Sequence, residues 1–160
     1  MLELDSYDKR ILAALQEDGR LSLNQLAETV NLTTSPCWRR VKRLEEAGII
    51  EKYVAVVDPE ALGLGLNVFV YVTLDHQKGG PFEAAVAAHP AIIDCFAMSG
   101  DTDYLLRVVV ENVASFDKFL RTDLVRMPGV DRTSSSFALR AIKKSTGLPV
   151  LGSEKMAVAS

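Results

Sequence analysis

Four cations within five positions, Arg39, Arg40, Lys42 and Arg43, stand out in a chain whose formal net charge is -3. Guanidinium and ammonium groups at this density neutralise phosphates, so a local patch can bind a polyanion even when the whole chain is acidic. Groups suited to covalent chemistry are sparse, namely two cysteines, Cys37 and Cys95, and two histidines, His76 and His89. A thiol nucleophile needs a neighbouring base, yet neither histidine sits in a recognisable catalytic motif, and both cysteines read as core-facing reduced thiols. The same four residues lack zinc-ligand spacing, so neither an enzyme nor a metal cofactor is expected. A further polar group is "SGDTDY", Ser99 to Tyr104, followed by the hydroxyl run Thr133, Ser134, Ser135 and Ser136. Carboxylates, backbone N–H groups near Gly100 and hydroxyls together complement the ammonium and carboxylate of a small zwitterion. A β-turn accounts for the same residues.

The basic cluster needs a rod to present it. "LDSYDKRILAALQEDG" predicts a helix capped by Asp5, with Ile11, Leu12 and Leu15 on one face and a stop at Gly19. "SLNQLAETV" predicts a second, short helix with Ser22 and Gln25 in capping-box register. After the connector "NLTT", Ser35 is expected to cap a third helix with Pro36 in its first turn. On that helix Cys37, Val41 and Leu44 face inward with Arg40 and Ala47 flanking, while Arg39, Lys42 and Arg43 form an outward stripe with Trp38 and Glu46 at its margins. Two helices joined by a short turn, the second basic outside, suit the major groove of DNA, with Thr33, Thr34 and Ser35 at the end that meets phosphates or base edges. A solvated charged face is the alternative for such a stripe.

From Ile50 to Val57 apolar and polar residues alternate as in a short strand, and Asp58-Pro59, Gly63 and Gly65 then mark a hinge. Residues 1–50 are thus expected as a helix-turn-helix domain, 51–65 as linker and 66–160 as a second domain. The grammar of the second part is strand, helix, strand, strand, helix, strand, with Ser115 expected to cap its second helix; this is the ferredoxin-like βαββαβ order of an α+β fold. Its first strand is apolar on both sides, with Val68, Val70, Val72 and Leu74 on one and Phe69 and Tyr71 on the other. A sheet with helices on one face only would leave the second apolar face bare, at about 25 cal/mol per Å², so a second copy of the chain is expected against it. The apolar fraction of 48% suffices for a core, and no run long enough to span a bilayer occurs, so a soluble cytoplasmic protein is expected. RNA binding by the sheet is the rival, but "DYLLRVVVE" lacks the aromatic pattern that stacks bases.

With the Ser-Pro-Cys cassette leading into the basic helix and the Gly-Asp-x-Asp-Tyr turn, the chain resembles the Lrp/AsnC, or feast/famine, transcription regulators of bacteria and archaea. The match runs from "LDSYDKRILAALQEDGRLS" through "LTTSPCWRRVKRLEEAGII" and "SGDTDYLLRV" to "MPGVDRTSSSFALRAIKKSTGLP". The resemblance implies a winged helix-turn-helix domain followed by a ferredoxin-like effector and assembly domain, homodimers gathering into octamers or more, a palindromic double-stranded DNA operator and a nucleoid-associated regulator. Its DNA-binding residues would be Thr33, Thr34, Ser35, Trp38, Arg39, Lys42 and Arg43. By the same resemblance an amino-acid effector would lie between dimers, on Gly100, Asp101, Asp103, Tyr104, Thr133, Ser135 and Ser136, and would shift the spacing of the DNA-binding heads. "NLTTSPCW" is similar to a cysteine-responsive subgroup, whereas "LRAIKKSTGLP" also resembles leucine-, methionine- and branched-chain-responsive members, which leaves the effector open among them.

Overall fold

The computed structural model describes residues 2–75, 79–145 and 147–151. Contacts divide the chain into two units, Met1–Val56 with Lys143–Ser160, and Val57–Ile142.

The first unit is built on three helices, α1 (Ser6–Glu17), α2 (Leu23–Thr29) and α3 (Thr34–Glu46). Asp5 caps α1, its side chain accepting the N–H groups of Tyr7 and Asp8, while the Asp8 carboxylate returns to the Asp5 N–H as a full capping box. Ser22 and Gln25 form the expected capping box on α2. The α2–α3 turn passes through Asn31 at φ 56°, a left-handed conformation that asparagine tolerates better than most residues. Ile11, Leu12, Leu26, Ala27, Val30, Cys37 and Leu44 close over one another as the core of this unit. Gly48, at φ 67°, ends α3, and the Ile49 N–H returns to the Leu44 carbonyl.

Two expectations for this region are corrected. The residue with cap geometry at α3 is Thr33, not Ser35; its backbone is extended at φ -77° and ψ 158°, and Ser35 already lies in the first helical turn. The strand expected from Ile50 to Val57 does not form, because no described strand pairs with this stretch. Of the stretch beyond Ile142, the described residues 143–145 and 147–151 group with the first unit. The Gln16 side-chain amide both donates to the Leu148 carbonyl and accepts the Leu148 N–H, and Val150 packs on the helical core.

The second unit runs β1 (Leu66–Leu74), α4 (Gly79–Ala88), β2 (Ile92–Ala97), β3 (Tyr104–Val110), α5 (Val113–Thr122), a 3-10 turn (Leu124–Arg126) and β4 (Val130–Phe137). The sheet order is β2-β3-β1-β4 and every pairing is antiparallel, as the βαββαβ order requires. Asn112 caps α5 in place of the expected Ser115, whose own N–H is the group it accepts. Val68, Val70, Val72, Leu106 and Val108 meet Phe82, Phe116, Phe119 and Leu124 in a core where each buried side chain contributes about 1.5–3 kcal/mol. Cys37 is buried as expected, but Cys95 is exposed, because β2 is an edge strand paired only with β3.

Candidate nucleic-acid interface and effector site

The inward face of α3 is anchored by Cys37 and Leu44, both fully buried, which rolls the other face outward. Trp38, half exposed at 51%, stands beside Arg39 on that face. Arg39 has no carboxylate partner among the described residues, whereas Lys42 Nζ lies 3.0 Å from Glu45 Oε2 one turn on. That exposed pair is worth only a few tenths of a kcal/mol and leaves the ammonium free to exchange partners. Glu45 is held below the usual carboxylate range first by this hydrogen bond and also by the Tyr53 hydroxyl. Arg43 is placed differently from a free phosphate-binding group: its Nη2 lies 2.6 Å from Oδ2 of Asp8. Thr33 makes no side-chain cap, and Thr34 donates its hydroxyl to Asn24 Oδ1 at 3.2 Å. The first amides of α3, on Thr34 and Ser35, therefore point out of the helix end with the positive end of its dipole. Uncapped amides, a guanidinium without a carboxylate partner among the described residues and a half-exposed indole thus share one rod.

Asp8 escaped the sequence reading, although it shares with Asp5 the spacing of a capping box, and that spacing was its available signal. Its carboxylate is fully buried and receives Arg40 as well as Arg43.

The β2–β3 turn holds Gly100 at φ 127°, where a Cβ would meet nothing within 4 Å, so backbone conformation rather than space calls for glycine there. Asp101 is exposed and has no hydrogen-bond or ion-pair partner among the described residues. Asp103 is committed instead: its Oδ2 accepts the Leu74 N–H at 2.7 Å, and its own N–H donates to Val72, which ties the turn to the end of β1. Tyr104 donates its hydroxyl to Glu83 Oε1 at 2.7 Å, and this bond, followed by desolvation, pushes its phenol up to about 12. Cross-strand register places Tyr104, Val72 and Thr133 in one row. Two strand spacings put Tyr104 and Thr133 about 10 Å apart on the helix-covered side. Ser135, opposite Val70, shares that side, whereas Ser134 and Ser136, opposite Tyr71 and Phe69, point to the bare side. The hydroxyl run is thus two surfaces. Tyr104, Thr133 and Ser135 share the helix-covered side, and Ser136 does not join them.

For the thiol–imidazole chemistry weighed from the sequence, His76 lies outside the described residues, and His89 accepts the Ala91 N–H at Nδ1 while facing Asp123 and the Phe119 ring. Burial is the main cause that pushes both thiols up, away from the reactive thiolate. Among the described residues no group of three metal-ligating side chains forms, and no helix is long and apolar enough to cross a membrane.

Residues 67–148 match the Lrp/AsnC ligand binding domain, and residues 4–51 match a winged helix-turn-helix DNA-binding domain. The chain belongs to the Lrp/AsnC family of transcription regulators. Within that family it is 43% identical over 150 residues to the DNA-binding transcriptional activator DecR of Escherichia coli K12, covering 92% of this chain and 99% of the relative. It is 43% identical to the Bkd operon transcriptional regulator of Pseudomonas aeruginosa, covering 94% of this chain and all of the relative. Among solved Lrp/AsnC-like structures, a transcriptional regulator from Neisseria meningitidis in complex with L-methionine superposes with a TM-score of 0.90 at 42% identity, covering 92% of this chain and 97% of that one. Both of these relatives are regulators of transcription.

Proposed function

We propose that α3 enters the major groove of a palindromic operator, with Arg39, Lys42 and Trp38 on the groove side and the Thr34 and Ser35 amides on phosphate. The observation that carries this is the pairing of an uncapped helix N-terminus with the Arg39 stripe, since the dipole and the cation attract the same anion. Thr33 shapes the helix start, and Arg43 contributes only what its bond to Asp8 leaves free. The bare sheet face, where Phe69, Tyr71, Phe96 and Leu105 surround Asp94 and Arg107, receives a second copy, which supplies the two-fold that a palindrome needs. Dimers assemble further to octamers or larger rings in the cytoplasm, on the nucleoid.

The effector is a free amino acid. Asp101 is the open carboxylate for its ammonium, while the Gly100 turn, Tyr104, Thr133 and Ser135 shape the site, Asp103 holding the turn and Ser136 reaching it only through assembly. The methionine complex of the Neisseria regulator supports this class of ligand, with cysteine, leucine and methionine the first candidates. Coupling follows if the ligand prefers one assembly geometry over another.

Fluorescence anisotropy on duplex DNA tests the first part. Arg39→Ala should weaken binding and lower the log–log salt slope by about 0.9 per lost phosphate contact. Binding indifferent both to salt and to this substitution would overturn the groove assignment. A thermal-shift panel of the twenty amino acids tests the second, because a ligand of the native state alone raises Tm. The shift should vanish in Asp101→Ala with its melting otherwise intact.

A further inference from the structure

Asp8 lies in the first turn of α1, is 0% exposed, and has every oxygen in use. Its Oδ1 accepts Arg40 Nη1 at 2.8 Å, and its Oδ2 accepts both Arg43 Nη2 at 2.6 Å and the Asp5 N–H at 3.1 Å. Arg40 Nη1 also reaches Asp5 Oδ2 at 2.7 Å, and its guanidinium lies 5.3 Å from the centre of the Tyr7 ring. Both arginines come from α3, 32 and 35 residues away along the chain. At about 100° per residue Arg43 projects between Arg39 and Arg40 around the helix, about 40° from the first and about 60° from the second. A grip on Arg40 and Arg43 together therefore resists rotation of α3 about its own axis more than a contact to either alone, adding to the anchorage of the buried Cys37 and Leu44.

We propose that Asp8 is a positioning residue for DNA recognition: its buried carboxylate locks the roll of α3, so that Arg39 and Lys42 face the groove and Arg43 is withheld from the phosphates. This rests on the groove assignment made above. The basic cluster then has two tasks, with Arg40 and Arg43 turned to the protein and Arg39 and Lys42 to the duplex. It also means that removing one buried negative charge alters selectivity rather than simple affinity. Loss of the clamp frees a cation for any phosphate and lets the reading face swing. A merely structural aspartate would weaken all DNA binding alike.

The test compares the wild type with Asp8→Asn on two probes, a duplex selected by the wild type from a random-sequence pool and poly(dI-dC), across a salt series. The selected duplex should lose its advantage over poly(dI-dC) by about tenfold or more, the worth of one misplaced base contact. Binding to poly(dI-dC) should hold or rise, with a salt slope steeper by about one phosphate contact. An unchanged ratio in a variant that melts normally, or a parallel fall on both probes, overturns the proposal. If Asp8→Asn does not fold, Asp8→Asn/Arg40→Met removes the opposite charges together, and the same loss of ratio is required of it. In the wild type the guanidinium protons of Arg40 and Arg43 should exchange more slowly than those of Arg39 by NMR; equal rates also sink the clamp. A wild type without preference between the probes defeats the groove assignment itself, whereas slow exchange with an unaltered variant ratio defeats only the positioning role.

Discussion

At the scale of single residues, charge is placed by partners that the composition does not reveal. Asp5 is held below the usual carboxylate range first by the Asp8 N–H that it accepts, with Arg40 adding to the same effect. Its contribution to stability is therefore present above the unfolded value and lost as pH falls through its lower folded value. Tyr104 works in the opposite sense. Donation to Glu83 favours the neutral phenol, so the stability it lends holds below the ordinary phenol value of 10.0 and is lost as pH rises toward about 12. Burial and its bond to Glu45 also raise Tyr53, so the test is the step at about 12 in an absorbance titration of tyrosinate, which Tyr104→Phe should remove. A step at that value that survives the substitution would place the perturbed phenol elsewhere.

At the scale of elements, caps and turns decide where helices begin. Both capping boxes of the first unit follow from spacing, because side chains three residues apart necessarily meet the first amides of a helix. The start of α3 was less legible. Pro36 is compatible with any of the first helical positions, where no N–H is needed, so its place did not fix the cap at the expected Ser35. In α5 the expected cap Ser115 likewise gives way to an earlier residue, Asn112, whose side chain accepts the Ser115 N–H. The α2–α3 turn depends on Asn31 at φ 56°. Asn31→Val should cost about 1–2 kcal/mol, since a β-branched side chain crowds the left-handed backbone, whereas Asn31→Gly should cost far less. Urea midpoints at constant slope check both, and equal losses would mean that the asparagine side chain rather than the backbone matters.

At the scale of the whole molecule, one sheet has two unlike faces. The helix-covered face is filled by Phe82, Phe116 and Leu124. The other carries Tyr71 and Phe96, 36% and 55% exposed, with Arg107 Nε 2.7 Å from Asp94 Oδ2 but not aligned to hydrogen-bond it. Val109→Lys, on the bare face beyond Arg107 and opposite Asn67, should leave the monomer folded and shift sedimentation toward single subunits. A variant that still sediments as the wild-type assembly would remove this face from the interface.

Local rules acting within about four residues determined the helices, the strand alternation, the basic stripe and the βαββαβ order, so all of these were open to a reader of the sequence alone. Tertiary structure decided what those rules cannot carry. Asp8 meets Arg40 and Arg43 across more than thirty residues, and the β1–β4 register, with Ser135 opposite Val70, decides which of the alternating serine hydroxyls lie on the helix-covered face. Cys95 is apolar in type and sits in an apolar strand, yet it is exposed because its strand is at the sheet edge. Periodicity determines which side chains share a face; only packing and strand order determine what, if anything, that face meets.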